Sequence, residues 1–324
     1  MKKNILIYCS SRNNYEMLEK EIIPNYNLKN IEYDFINIDD NSSEEQFKLG
    51  NQICKDNNVK MIKNNGRGLF KALQTVVDYI EENNLNYSHV VWVSHDTYPL
   101  TNNFFDKLND LAELGKLDKF GCIGFNTIWK KYTCSEEDFV KKNLEGNYCG
   151  VLGRAVLTPV SGAGWYRPSD IPLAKKSWGF NVAVESIVDM VMMFNIKNYK
   201  KFIECDPAYH HFCWGDDICL QFLKNNVYNV TLFDFYIYHD QNIKKKYKIP
   251  VNSATAAKKG DNYYFCDYGD HLNHWNKKWG FDREWQKKKN NIICEVQKLH
   301  GDSLIESFSM HDVSLGPLKT FNIK

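Results

Sequence analysis

Along the first hundred residues, short β-branched or aromatic runs closed by polar loops alternate with stretches whose apolar residues recur at helical spacing. Lys3 to Cys9 predicts a strand, and Met17, Leu18 and Ile22 an amphipathic helix that Pro24 ends. Ile31 to Ile38 alternates as a second strand, Val59 to Ile62 is a short third, and Leu69, Leu73, Val76, Val77 and Ile80 mark a helix. The run Val90-Val91-Trp92-Val93 is apolar throughout, as a strand buried on both faces requires, and Pro99 cannot continue a central strand. The order β-α-β-α-β-α-β predicts an α/β domain with a mostly parallel sheet flanked by helices.

Further on, Phe104 to Leu114 predicts a helix, Phe120 to Phe125 a strand, and Lys130 to Pro172 a less regular segment. Ala183 to Phe194 predicts an apolar helix with Glu185 and Asp189 on one face. From His210 to Leu223, ionisable residues lead into an apolar helix, which places Asp216 and Asp217 at its N-terminus, where the helix dipole favours negative charge. Asn229 to Tyr238 predicts a strand that delivers His239 at its end, and the chain from Asn242 onward is basic and aromatic.

Composition narrows the class. The 324 residues are 43% hydrophobic and 25% charged, an ordinary globular balance, and a net charge of +1 argues against a dedicated nucleic-acid binder. The run Ile5 to Cys9 is too short for a signal-peptide core, and the stretch around Val188 to Phe194 is too short to cross a bilayer, so a cytoplasmic protein with no transmembrane segment is expected. Ten cysteines lie scattered through apolar segments without a CxxC pair, which favours buried thiols over disulfides or a zinc ribbon.

The candidate chemistry lies in the loops that follow the strands, because ligands of open α/β sheets bind beyond the strands' carboxyl ends. The first such loop holds Ser10 and Arg12. The second holds Asp39 and Asp40, able to cap a helix near Glu44 or to bind a base or ribose. After the third strand, Asn64-Asn65-Gly66-Arg67-Gly68 leads into a helix N-terminus and suits a diphosphate, yet it matches neither GxxxxGK[ST] nor GxGxxG. Ser94, His95 and Asp96 follow the fourth strand. Trp165 and Trp214, each next to a glycine, are candidates for stacking on a sugar ring.

Taken in order, these pieces resemble the GT-A glycosyltransferases of family-2 type. Asp39-Asp40-Asn41-Ser42 is similar to that family's "DDxS", Asn64 to Gly68 to its "NxGxG" turn, and Ser94-His95-Asp96-Thr97 to its metal-binding "DxD" or "NxDT" element. Trp214-Gly215-Asp216-Asp217 is similar to its "GED" or "WGxxD" helix start, and Lys278-Trp279-Gly280 to a "KWG" element of some relatives.

The resemblance implies a GT-A (Rossmann-like) domain over residues 1–240, with a nucleotide-sugar-binding half at 1–125, an acceptor and catalytic half at 126–240, and a C-terminal extension at 241–324 packing on it. It further implies inverting transfer of a hexosyl or deoxyhexosyl group from a nucleotide-sugar to a glycan or glycoconjugate hydroxyl. Asp217 is then the general base and Asp216 the runner-up, with Ser10, Arg12, Asp39, Asp40, Asn65, Gly66, Arg67, Ser94, His95 and Asp96 at the donor. Mn2+ or Mg2+ is expected on Asp96 and His239, and Trp165 and Trp214 at the acceptor. The chain departs from the family where Ser94 replaces the first acid of the metal motif. Two alternatives stand beside this: a metallohydrolase or non-haem iron site built from His210, His211, Asp216, Asp217 and His239, and a non-catalytic carbohydrate-binding protein on a transferase scaffold. A sugar nucleotidyltransferase is disfavoured by Ser10-Ser11-Arg12 in the first loop.

Overall fold

The computed structural model describes residues 3–28, 33–128, 150–151, 153–155, 164–166, 180–184, 186–247, 268–279 and 320–322. Strand β1 (Ile5–Ser11) leads into the helical segment α1, which runs from Tyr15–Met17 through a π-helical turn at Leu18–Ile22 to Ile23–Asn25. There follow β2 (Phe35–Asp39), α2 (Glu44–Asp56), β3 (Lys60–Lys63), α3 (Leu69–Glu82) and β4 (His89–Val93). These four strands form a parallel sheet in the order β3-β2-β1-β4. Short apolar strands alternating with amphipathic helices have no other way to bury both sheet faces. Residues 31 and 32, expected to open the second strand, lie outside the described residues.

After β4 the chain makes a short strand, β5 (Thr97–Pro99), then α4 (Phe104–Glu113) and β6 (Phe120–Ile128). The short strands β7 (Gly150–Val151), β8 (Gly153–Ala155) and β9 (Gly164–Tyr166) precede β10 (Phe180–Val184) and β11 (Val191–Asn195). The apolar helix expected over Ala183 to Phe194 is instead the end of β10, a turn and β11. Short apolar runs carry no helical period of their own, and Val182 and Val184 on β10 and Val191 on β11 favour the pleated surface. Strand β11 lies between β4 and β6, antiparallel to both, and makes the sheet mixed.

The remaining elements are α5 (Ile196–Phe202), α6 (Trp214–Lys224), β12 (Tyr228–His239), α7 (Gln241–Lys246), α8 (Tyr268–Trp279) and β13 (Thr320–Asn322). Strand β12 runs parallel to β6, shifts register between Leu232 and Tyr236, and then pairs antiparallel with β5, so that His239 meets Thr97. The proline at 99 is accommodated because β5 lies off the main strand path.

Helices cover both faces of the sheet. Leu6, Tyr8, Val90 and Trp92 pack with α3, α6 and, through Trp275 and Trp279, α8. On the other face Ile5, Ile7, Cys9, Val91 and Val93 pack with α1, α2 and α4. Among the described residues no helix is long and apolar enough to cross a membrane. The described cysteines are free thiols, with Cys9, Cys54, Cys122 and Cys219 buried.

Candidate functional site at the carboxyl edge of the sheet

Ser11, Asp39, Lys63 and Val93 end the four parallel strands, so the loops after them converge along one edge. The turn after β4 is the centre of this edge. Asp96 is buried; its Oδ1 accepts from Ser94 Oγ at 2.7 Å, and its Oδ2 stands 3.0 Å from His239 Nε2. Asp240 N donates to Asp96 O at 2.7 Å, which fixes the end of β12 against this turn. His95 turns the other way, with Nε2 2.9 Å from Ser11 Oγ, which donates to Asn37 Oδ1. Burial pushes the His95 imidazole down to about 4 even though Asp96 pulls the other way, so it is neutral at pH 7.

The acids ending β2 are engaged within the fold. Asp39 accepts the Tyr15 hydroxyl. Asp40 is fully buried, and its Oδ1 accepts from Gly68 N at 2.8 Å and Asn64 Nδ2 at 2.7 Å. The glycine turn is thus organised from inside. Gly68, at φ +92, leaves room for the backbone of His210, whose carbonyl accepts from Leu69 N at 2.7 Å. Asn65 N is likewise taken by Thr75 Oγ1. The N–H groups of Asn65, Gly68 and Leu69 are therefore committed to the fold. What the turn presents is the half-buried Arg67, and exposed Gly66 is tied by its carbonyl to Asn41 Nδ2.

His210 is a residue that the pattern did not assign to the donor edge. Burial and the nearby guanidinium of Arg67 lower its pKa, Asp40 raises it, and Arg12 lowers it further, so Arg12, Asp40 and Arg67 all lie close enough to act on His210. The positions of two arginines in different loops carry no sequence signal of that kind. Ser10 sits half-buried two residues before Arg12, its strand partner Ile38.

On the other side of the Asp96 turn, Ser94 N donates to Met190 O at 3.1 Å, and Gly215 abuts Asp189 and Met192. Ser186, which opens this same segment, donates to Asp216 Oδ1 at 2.5 Å. Segment 186–190 therefore joins the Asp96 turn to the first turn of α6. The two acids of α6 are both buried, Asp216 with 8% exposure and Asp217 with none, and they differ in their partners. Asp217 Oδ1 accepts from Trp279 Nε1 at 2.7 Å, Oδ2 accepts from Gln221 Nε2 at 2.7 Å, and Lys278 Nζ lies 2.9 and 3.0 Å from the two oxygens. Burial pushes the Asp217 carboxyl above its ordinary value, and Lys278 and the hydrogen bonds only partly offset this.

Trp214 is fully buried, edge-on to Trp92 at 5.1 Å between ring centres, so it has no face to offer a sugar; its role is to anchor α6 to the sheet. Trp165 stands on β9 in register with Arg154, and its side chain lies outside the described residues. The five residues of the metallohydrolase alternative are not brought together: His239 faces Asp96, Asp216 faces Ser186, and Asp217 faces Lys278 and Trp279. Among the described residues no three His, Cys, Asp or Glu side chains converge.

A mixed, curled sheet covered by helices on both faces, with its loops gathered at the carboxyl edge of a parallel half, is the GT-A glycosyltransferase fold. Among solved structures the chain is similar to GalNAc-T7 determined with UDP, GalNAc and Mn2+, with a TM-score of 0.52 and 12% sequence identity. The match covers 92% of this chain and 58% of that one, less than two thirds of its length. No protein-family model matches the sequence, and no curated protein matches it. What the structural likeness establishes is the fold.

Proposed function

We propose that this chain is an inverting glycosyltransferase that moves a sugar from a nucleoside-diphosphate donor to a hydroxyl of a glycan or glycoconjugate. The observation that carries the proposal is the run of contacts along one edge of a GT-A fold that links the Asp96–His239 pair, through segment 186–190, to the carboxylate of Asp216.

Glycosyl transfer leaves negative charge on a departing diphosphate and needs a base for a weakly nucleophilic hydroxyl. Arg12 and Arg67, acting on His210, supply positive charge at the donor edge. Asp96 and His239, whose Oδ2 and Nε2 meet at 3.0 Å, are the residues that would hold a divalent cation, since imidazole with carboxylate suits Mn2+. Bound there, the cation would neutralise the diphosphate as it leaves. Ser94 then has an orienting task, because its hydroxyl holds the other oxygen of Asp96. Asp216 is the base in this proposal in place of Asp217, whose two oxygens already hold Trp279, Gln221 and Lys278. Attack assisted by a base opposite the leaving group inverts the anomeric centre.

The test is a panel of nucleotide-sugars, beginning with UDP-GalNAc because the similar GalNAc-T7 structure holds UDP, GalNAc and Mn2+. Release of nucleoside diphosphate is followed with Mn2+, with Mg2+ and in chelator. Turnover that disappears in chelator and returns with Mn2+ is expected; equal turnover in chelator would refute the cation assignment, and no turnover of any donor would refute the transferase.

A further inference from the structure

Helix α8 comes from the basic, aromatic C-terminal region, yet three of its polar residues, His271, His274 and Lys278, reach one segment, the stretch 204–217 between α5 and the first turn of α6. His271 is buried and lies beside two backbone N–H groups, with Phe212 N 3.1 Å from Nδ1 and His210 N 3.4 Å from Nε2. His274 Nε2 and Lys278 Nζ meet Asp206 Oδ2 at 2.9 and 3.0 Å, while Asp206 Oδ1 accepts from Ala208 N. Fully buried Tyr209 is wedged among them, its ring centre 5.0 Å from that of His274 and 5.6 Å from Lys278 Nζ. Lys278 and Trp279 then close on Asp217, and Gln221, which donates to the same carboxylate, bonds both the N–H and the carbonyl of Glu204. Burial pulls the Lys278 ammonium down, but Asp217 and Asp206 outweigh it and hold it above its ordinary value.

The segment gripped in this way carries what the donor and acceptor sides share. His210 is locked on its other side by its carbonyl bond to Leu69 N. Cys213 holds a left-handed conformation at φ 62 immediately before α6, a backbone state that a non-glycine residue keeps only where its surroundings impose it. Three residues later comes Asp216.

We propose that α8 is a positioning brace for the site, with Asp217, Lys278 and Trp279 as positioning residues that act through the backbone of 204–217 to aim Asp216 and His210. The proposal rests on the transferase function given above for its effect on rate, while the brace itself is read independently of turnover. Trp279→Phe removes one hydrogen-bond donor and keeps an aromatic ring; Lys278→Met removes the ammonium, and Lys278→Arg restores a cation.

Backbone hydrogen exchange is measured on the full chain. In Trp279→Phe and Lys278→Met, peptides spanning 204–217 are expected to exchange about tenfold faster while those of β1 to β3 stay unchanged. In the transfer assay kcat should fall about 100-fold with the donor KM within about twofold, and Lys278→Arg should recover most of it. Unchanged exchange over 204–217, or faster exchange spread evenly over the whole chain, would overturn the brace. Loosened exchange with kcat unaltered would overturn its role in positioning. A wild-type chain that transfers no sugar refutes the transferase and leaves the exchange result to decide the brace.

Discussion

Adjacent carboxylates on one helix are about 100° apart around its axis, so Asp216 and Asp217 face different surroundings. Their neighbours give them different tasks. Replacing Asp216 by Asn removes a proton acceptor at a residue that retains surface, and kcat is expected to fall by about 10³-fold with thermal stability and nucleotide binding near wild type. Asp217→Asn instead removes the more buried of the two carboxylates that hold Lys278, leaving Asp206, and weakens the charged bonds from Trp279 and Gln221, so a loss of about 2 kcal/mol in urea unfolding is expected. The opposite pattern, with Asp217→Asn stable but inactive, would return the base assignment to Asp217. The sequence shows both acids at a helix start, and it cannot rank them because Lys278 is 61 residues away. Ser94 is a similar case: the chain shows only that an acid is missing, while its bond to Asp96 explains what stands in that place.

Among the elements, the glycine turn before α3 was legible as a turn but not as the kind of turn it is. Two glycines before a helix suggest a phosphate cradle, and the carboxylate of Asp40 and the carbonyl of His210 occupy two of its N–H groups, those of Gly68 and Leu69. Gly68→Ala would place a Cβ 2.3 Å from the His210 Cα at φ +92, and a loss of about 3 kcal/mol is expected. Gly66→Ala meets the flexible side chain of Lys71 at 3.1 Å and should cost about 1 kcal/mol, mostly from its φ of +150. Equal losses for the two in urea unfolding would mean that the backbone of His210 yields. The strands β10 and β11 illustrate the complementary limit, since a short apolar run reads alike as helix or strand until its partners β12, β4 and β6 are known.

At the scale of the whole molecule, the amino end of β4 holds a buried group that must stay neutral. His89 is fully buried between Ser88 Oγ at 2.9 Å and Asn195 Nδ2 at 3.3 Å, and burial pushes its imidazole from 6.5 down to about 4. The folded state therefore binds fewer protons than the unfolded chain between those values. Its stabilising neutrality is intact above pH 6.5 and is lost as pH falls toward 4, with about 3 kcal/mol at stake. Unfolding free energy measured across this range should fall less steeply in His89→Gln than in the wild type; parallel curves would assign the acid sensitivity to other groups.

What the sequence by itself determined is the local and periodic part: the alternation of strands and helices over the first hundred residues, the polar loops at their ends, and the α/β class that follows. Hydrophobic period and turn chemistry act over a few residues and can be read from them. The tertiary structure alone decided which of those loop residues meet. His239 reaches Asp96 because β12, past its register shift, pairs with β5 as well as β6, and Asp217 is buried because α8 returns to cover it. Such contacts join residues 61 to 143 positions apart, and no local pattern encodes a distance of that kind.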